Sequence, residues 1–393
     1  MIFLFGGIQL SEKPLSTRIF TINPGSTSTK LALFEGCNEV FREELKVDAK
    51  EVKNLPLMLD QLPYRKRDVS DFISCRGIDI SSCDMIVCRG GSMNGINSGA
   101  YAVDEHVLTI LRHAPRTQHA SSMACFIGHD LAMQYGKLCI LYDSPSASDA
   151  DPIVHYTGIP GVKRWASDHC LNSRIVAREC AERMGRKYEE VNIIVVHLGG
   201  GVTLSFHSGG VMVDAVSDDE CHMSPQRAGR IPSTALIEMC YSGKYTKQEM
   251  LRMMRGEGGL TAYLGVQDTR EIEDMINQGN TSARELYEYM AYQICKSVGE
   301  MAVVRSGNID RIVLTGGIAY SEMLTTLIKE RISFLAPVEI IPGEREMLAL
   351  AMGGMRVLSG EEPVKKYRWL PKDCSSLEDV IARYSPGDIS TEY

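Results

Sequence analysis

Residues 20–36 read FTINPGSTSTKLALFEG. An apolar run enters a stretch of Asn, Pro, Gly, Ser, Thr and one Lys and leaves as a second apolar run, the pattern of two strands joined by a polar turn. Eight polar, Gly or Pro residues, Asn23 to Lys30, separate the runs, where a tight hairpin needs only about two. The hydroxyls, the backbone N–H groups freed by Gly25 and the Lys30 ammonium suit anionic oxygens, with phosphate the first candidate. A solvated hairpin would carry the same residues. The stretch is not a Walker loop, which needs G-x-x-x-x-G-K-[ST] opening a helix, because the β-type residues LALF follow it.

The same unit recurs downstream. Residues 192–216, NIIVVHLGGGVTLSFHSGGVMVDAV, again give strand, Gly-rich turn, strand, short turn, strand, as residues 20–47 do. Two halves that each begin with such a meander point to a duplicated domain with a cleft between the copies. Chance similarity of two glycine-rich hairpins is the alternative. Elsewhere, apolar β-branched runs (MIVCRGG, LCILYD, RIVLTGG, VEIIPG) alternate with helical patterns (SMACFIGHDLAMQY, CLNSRIVARECAERM, MLALAMGGMRVL). That alternation argues for an α/β architecture.

Length and composition bound the answer. The chain has 393 residues, enough for two domains, with 44% hydrophobic and 23% charged residues, as expected of a globular protein. A net charge of −8 does not supply the basic footprint of a nucleic-acid binder. No apolar run reaches the ~20 residues of a membrane helix. The start, MIFLFGGIQLSEKPLS, lacks a basic n-region and a clean cleavage site. It reads as an accessory strand or an extension ahead of the strand at Arg18–Ile22 rather than a signal peptide. The 12 cysteines are scattered without a C-x-x-C pair, which points to reduced core thiols in a cytoplasmic protein and away from zinc.

Two further glycine sites add to the first. In His197-Leu198-Gly199-Gly200-Gly201, three glycines after a buried strand admit a ligand close to the backbone. In Leu314-Thr315-Gly316-Gly317, a strand gives way to a helical segment at a Gly-Gly joint, which can present N–H groups and a flat surface to a nucleotide.

These three stretches, INPGSTSTKLALFEG, VVHLGGGVTLSFHSGG and RIVLTGGIAYSE, resemble the two phosphate motifs and the adenosine motif of the acetate and butyrate kinase family. That family belongs to the actin, sugar-kinase and heat-shock ATPase superfamily. N-P-G-S-T-S-T-K looks like the butyrate kinase branch, since acetate kinases usually have N-A-G-S-S-S-x-K. QHASS, RKYEEVN, GEGGLTAYLG, AYQICK and PGEREMLALA add to the similarity, which runs from about Arg18 to Glu362.

The resemblance implies two duplicated actin-like (ribonuclease H-like) domains with an active-site cleft between them. Residues 1–150, joined by 348–393, would form the N-terminal domain, and 151–347 the nucleotide-binding one. It implies ATP and a short carboxylic acid as substrates, their acyl phosphate and ADP as products, Mg²⁺ as cofactor, and a homo-oligomer of two or more chains. Asn23, Ser26, Ser28 and Lys30, with His197, Gly199, Gly200, Gly201, Gly316 and Gly317, would bind the nucleotide.

The polar single residues carry a plain reading beside the implied one. Arg89 in VCRGGS and Arg227 in SPQRAG read as loop arginines; the resemblance makes them cations that neutralise the carboxylate and the transferring phosphoryl group. His169 in SDHCLNSR falls in the first turn of a helix, with Ser167 or Asp168 as expected N-cap. By resemblance it donates a hydrogen bond to the phosphoryl group, and His119 in TQHASS matches a second active-site histidine. Asp143 ends an apolar strand, where a carboxylate is expected to face a site. Glu346 is a favourable first-turn acid of the last strong helix. In the family both positions help hold Mg²⁺, and the register around LALA selects Glu346 over Glu344.

The chemistry accounts for these residue types. A carboxylate nucleophile is ionised near neutral pH and needs no general base. Transfer then rests on alignment and on cancelling charge across the phosphoryl oxygens. Two stretches depart from the family pattern. Ser144-Pro145-Ser146-Ala147-Ser148 stands where apolar residues are usual, and Asp218–Met223 replaces a glycine-containing loop. The first bears on acyl-chain preference, which contacts alone cannot make sharp, since a buried methylene is worth ~0.8 kcal/mol. Acetate, propionate or branched-chain acids are the alternative acceptors. An actin-like nucleotide-binding protein without transferase activity is the rival from another class.

Overall fold

The structure is a computed structural model that describes residues 17–53, 55–218, 220 and 222–390. The expected accessory strand or extension at 1–16 lies outside the described residues, as do Asp219 and Cys221 of the 218–223 stretch. The chain divides into two compact units, one taking the described residues up to Ser148 together with Arg345 onward, the other taking Asp149–Glu344.

The first unit is built on a six-stranded sheet in the order β3-β2-β1-β4-β6-β5. Strands β1 (Arg18–Pro24), β2 (Ser28–Glu35) and β3 (Asn38–Lys46) form an antiparallel meander. β4 (Met85–Cys88) and β6 (Leu138–Tyr142) extend it in parallel from β1, and β5 (Ala100–Ala102) closes it antiparallel. Ile19, Phe20, Ile22 and the whole of β4 are buried, as expected of central strands covered on both faces. β3, NEVFREELK, lies at the edge and carries the charges that discourage edge pairing.

The second unit repeats the plan. Its sheet has the order β11-β10-β7-β8-β9. β7 (Asn192–Leu198), β8 (Val202–Ser208) and β9 (Val211–Val216) form the meander, and β10 (Arg311–Thr315) and β11 (Val338–Ile340) add in parallel. Both meanders carry a register irregularity between their second and third strands, at Leu33/Phe34 and at Phe206/His207. The duplication expected from the sequence is therefore visible strand by strand. One face of this sheet is filled by Ile194, Val196, Leu204 and Phe206 against the long helix Thr281–Ala302.

Helix Glu346–Leu358 packs on β1 and β4 of the first unit. It approaches closely because Gly353 and Gly354 interrupt its apolar face. A Cβ on Gly353 would lie 2.7 Å from the Tyr142 ring, and one on Gly354 2.9 Å from Ile19 and Val87. Each glycine costs the helix about 1 kcal/mol relative to alanine, a cost offset by this contact. The helix thereby delivers its first residue, Glu346, to the ends of β1 and β4.

The polar turn at 23–30 is shorter than the sequence suggests. Register pairs Asn23 with Lys30 and Pro24 with Thr29, so only residues 25–27 form the connection. The polar residues continue the strands instead of forming a long loop.

Candidate functional site

Alternation along β1 and β2 sorts the residues of the first polar turn by face. Asn23, Ser28 and Lys30 share one face, and Thr29 lies on the other. Asn23, buried at the end of β1, donates from Nδ2 to Glu346 Oε2 at 2.8 Å. Arg89 follows β4 and is ion-paired through Nη1 with Glu346 Oε1. Asn23, Arg89 and Glu346 thus form one cluster, with both carboxylate oxygens oriented. Ser28 is buried and donates its hydroxyl to Glu44 Oε1 at 2.6 Å, while Ser26 is exposed in the connection. Glu344 is exposed.

Asp143 ends β6 in the left-handed region, φ 45°, a conformation Asp tolerates better than most residues. It is 2% exposed, and its Oδ1 accepts the Gly99 N–H at 2.7 Å. His119 is exposed before helix Ser122–Tyr135, and its Nδ1 accepts from the Ser121 N–H at 3.2 Å. That bond places the neutral ring's proton on Nε2. It also ties His119 to the start of the helix that follows it, whereas Asn23, Arg89 and Glu346 are tied to one another.

The Ser144–Ser148 segment turns its first two serine side chains onto backbone. Ser144 donates to Gly91 O at 2.5 Å, and Ser146 exchanges 2.7 Å hydrogen bonds with the N–H and C=O of Met93. These side chains pin the backbone that follows Arg89.

In the second unit, His169 and His197 stack with centroids 3.9 Å apart and planes 11° from parallel. The His169 Nδ1 lies 2.9 Å from Thr203 Oγ1 on β8. Asn172 donates from Nδ2 to His197 Nδ1 at 3.1 Å and to Thr315 Oγ1 at 3.2 Å. Helix Cys170–Arg183 starts later than either expected N-cap, Ser167 or Asp168, would place it, and His169 itself is the N-cap. Asp168 serves the first turn by a different route, accepting the Ser173 hydroxyl.

Arg227 donates from Nε to Asp218 Oδ2 at 2.9 Å, and Arg255 donates to Asp218 Oδ1, also at 2.9 Å. The same carboxylate explains Gly201, where a Cβ would lie 2.4 Å from Asp218 Oδ2. A Cβ on Gly200 would meet the Gln226 side chain at 3.1 Å, and one on Gly199 the Gly201 carbonyl at 3.1 Å. The triple glycine thus makes room for the loop that carries Arg227. Gly316 has φ 90°, and a Cβ there would strike Leu198 O at 2.4 Å. Gly317 has open space around it, and a 3₁₀ turn, Gly317–Tyr320, follows.

Sequence reasoning does not single out Thr203, Asn172, Arg255 or Arg65. The last is a buried arginine on helix Leu62–Arg76 that hydrogen-bonds the 25–27 connection. Only their three-dimensional neighbours distinguish them. A cavity bordered by Arg164, Asp214, Glu220, Arg230 and Glu300 contains none of the residues the sequence indicates.

Comparison with known proteins decides the family. The pattern of the acetokinase family matches residues 153–360. Butyrate kinase 2 from Clostridium acetobutylicum is 38% identical over 353 residues, spanning 89% of this chain and 99% of that protein. The chain belongs to the acetokinase family.

Solved acetokinase-family structures share its fold. Porphyromonas gingivalis acetate kinase superposes with a TM-score of 0.72 at 18% identity, covering 87% of this chain and 100% of that one. A propionate kinase from Francisella tularensis gives 0.66 at 16% identity, covering 85% and 98%. The fold of this acetokinase family member is that of the acetate kinases, in the actin-like class, with the meander-plus-parallel sheet present twice.

Proposed function

We propose that the protein is a short-chain carboxylate kinase of the butyrate kinase type, running butanoate + ATP to butanoyl phosphate + ADP reversibly by direct in-line transfer. Membership of the acetokinase family makes it an ATP-dependent phosphotransferase with a carboxyl acceptor. The observation that carries the choice of butanoate is the 38% identity to a butyrate kinase over nearly that protein's whole length. Acetate, propionate or a branched-chain acid is the second reading, favoured by the acetate and propionate kinases among its structural relatives.

In this reading the acceptor carboxylate attacks the γ-phosphorus unaided, being ionised at neutral pH. Arg89 and Arg227 cancel charge on the carboxylate and the phosphoryl oxygens. His169, its ring oriented by Thr203 and by the stacked His197, donates to the phosphoryl group. Asn23, Ser26, Ser28, Lys30 and the backbone around the glycine turns hold the nucleotide phosphates, with Gly317 beside the nucleoside.

The donor set fits Mg²⁺, a hard ion usually held by one or two carboxylates plus substrate phosphates. Glu346, with both oxygens oriented by Asn23 and Arg89, is the residue that would hold it, assisted by Asp143. Mg²⁺ when bound supplies charge neutralisation on the nucleotide phosphates.

A cytoplasmic location is supported by buried thiols such as Cys83, Cys88, Cys125 and Cys139. Among the described residues no helix is long and apolar enough to cross a membrane. Self-association is supported by helix Ser233–Tyr241, STALIEMCY, in which no residue is buried and Tyr241 is 87% exposed.

The test is a hydroxylamine trap for acyl phosphate with acetate, propionate, butyrate and isobutyrate. The expected order places butyrate first by kcat/KM, with neighbours within on the order of tenfold. Folded protein that forms no hydroxamate from any of the four with Mg-ATP overturns the proposal.

A further inference from the structure

The connection between β1 and β2 is gripped from below by a single arginine. Arg65 is 1% exposed. Its Nη2 donates to Gly25 O and Ser26 O, both at 3.0 Å, and to Gln61 Oε1 at 2.9 Å. Its Nη1 donates to Thr29 Oγ1 at 2.9 Å, while Nε is buried without a hydrogen-bond partner. These four acceptors are all neutral. Asp68, three residues on, is hydrogen-bonded by Arg67 and acts on Arg65 only through space.

Burial strips water from this cation without giving it a carboxylate to bond, which calls for a compensating role. The geometry of the connection supplies one. The Gly25 and Ser26 carbonyls are drawn inward onto Arg65, and the Thr27 carbonyl accepts the Val47 N–H at 3.0 Å. No cis peptide is present among the described residues, and in a trans peptide the N–H of the next residue points opposite the carbonyl. The Ser26 and Thr27 N–H groups are therefore turned away from Arg65, and both residues are exposed. Successive outward N–H groups form an anion-binding concavity. Directly behind it lies a buried guanidinium whose hydrogen-bond acceptors are all neutral.

We propose that Arg65 is a positioning residue for nucleotide phosphate: it fixes the Gly25–Thr27 backbone with its N–H groups outward and supplies the buried positive charge that a phosphate on this connection neutralises. The inference deepens the kinase reading and rests on it. Arg65 touches no substrate in this role. It acts through the carbonyls it holds and through its field, which burial leaves weakly screened.

The experiment compares equilibrium binding of ADP and adenosine to the full-length wild type and to Arg65→Met, with circular dichroism and thermal unfolding to verify folding. Loss of the buried charge and of its grip on the Gly25 and Ser26 carbonyls predicts an ADP Kd raised about tenfold or more, with adenosine binding changed less than about twofold. In turnover, KM for ATP rises while KM for butanoate stays within about twofold of wild type. Arg65→Lys keeps the charge but not the fork, and recovers part of the ADP affinity. Should Arg65→Met not fold, Thr29→Val removes one acceptor of the guanidinium, and about a threefold preferential loss of ADP is then expected. Equal loss of ADP and adenosine affinity, or no change in either, overturns the proposal. Wild-type protein that binds ADP but makes no acyl phosphate contradicts the kinase reading instead, so the two failures are distinguishable.

Discussion

The imidazoles of His169 and His197 are stacked 3.9 Å apart, and each ring is oriented by a hydrogen bond, His169 to Thr203 and His197 to Asn172. One ring thereby holds the other in a fixed plane without a covalent link. His169→Ala is expected to lower kcat by about 10²–10³, the cost of one oriented donor to transition-state charge, with KM for ATP changed only a few-fold. His197→Ala, which removes the buttress, is expected to cost less, on the order of tenfold. Steady-state hydroxamate assays measure both. A His169 variant with wild-type kcat would remove that residue from the mechanism.

Arg89 and Glu346 meet although 257 positions separate them in the chain. Glu346→Gln keeps the shape and the Asn23 contact but removes the charge. The expected result is an apparent Mg²⁺ requirement raised about tenfold or more, read by titrating Mg²⁺ at saturating ATP. An unchanged Mg²⁺ profile would assign Glu346 to holding Arg89 alone.

The meanders are legible in the sequence because buried central strands give unbroken β-branched runs, as in RIFTI and NIIVV, with glycine and polar turns between them. Helix Ser122–Tyr135 begins and ends where SMACFIGHDLAMQY does, closed by Gly136 in the left-handed region. Helix Leu62–Arg76 is harder to see because its buried stripe, Arg65, Val69 and Ile73, contains an arginine where an apolar residue is expected. The N-cap falls on His169, past both Ser167 and Asp168, while Asp168 bonds the Ser173 hydroxyl. What a sequence pattern does not carry is who grips whom: Arg65 on the 25–27 backbone, Asp218 between Arg227 and Arg255, Glu346 between Asn23 and Arg89. Each depends on pairs that are not neighbours in the chain.

A buried network under the first unit's sheet predicts a stability effect. Arg356 donates to the Tyr142 hydroxyl at 2.5 Å, and is ion-paired with Glu362 at 3.2 Å; Tyr142 donates to Glu362 at 2.7 Å. Glu362→Ala leaves the buried Arg356 charge without this partner and is expected to cost about 3–5 kcal/mol. The measurement is the shift in urea midpoint at pH 7. A loss below about 1 kcal/mol, the range of an exposed pair, would contradict the buried geometry.

Two buried histidines set an acid limit. Burial, aided by Arg174 and Arg178, holds His207 down at about 3, and burial holds His222 down at about 4, both from 6.5. Each is neutral in the folded protein and takes up a proton on unfolding below pH 6.5. The stability they contribute is complete above that value and falls as pH drops toward their folded pKa values. At pH 5 each accounts for a loss of about 2 kcal/mol relative to pH 7.5. Urea titrations of wild type and His207→Gln test this, and the variant is expected to show a shallower loss between pH 6.5 and 5. Parallel profiles would place the acid sensitivity elsewhere.

The central claim is that phosphorus moves from ATP to a carboxylate. It is tested most directly by following the reaction with ³¹P NMR in Mg-ATP and butanoate. An acyl phosphate resonance that grows one-for-one with ADP, only when butanoate is present, is the predicted result. Release of inorganic phosphate without an acyl phosphate signal, or bound ATP that does not turn over, would contradict it.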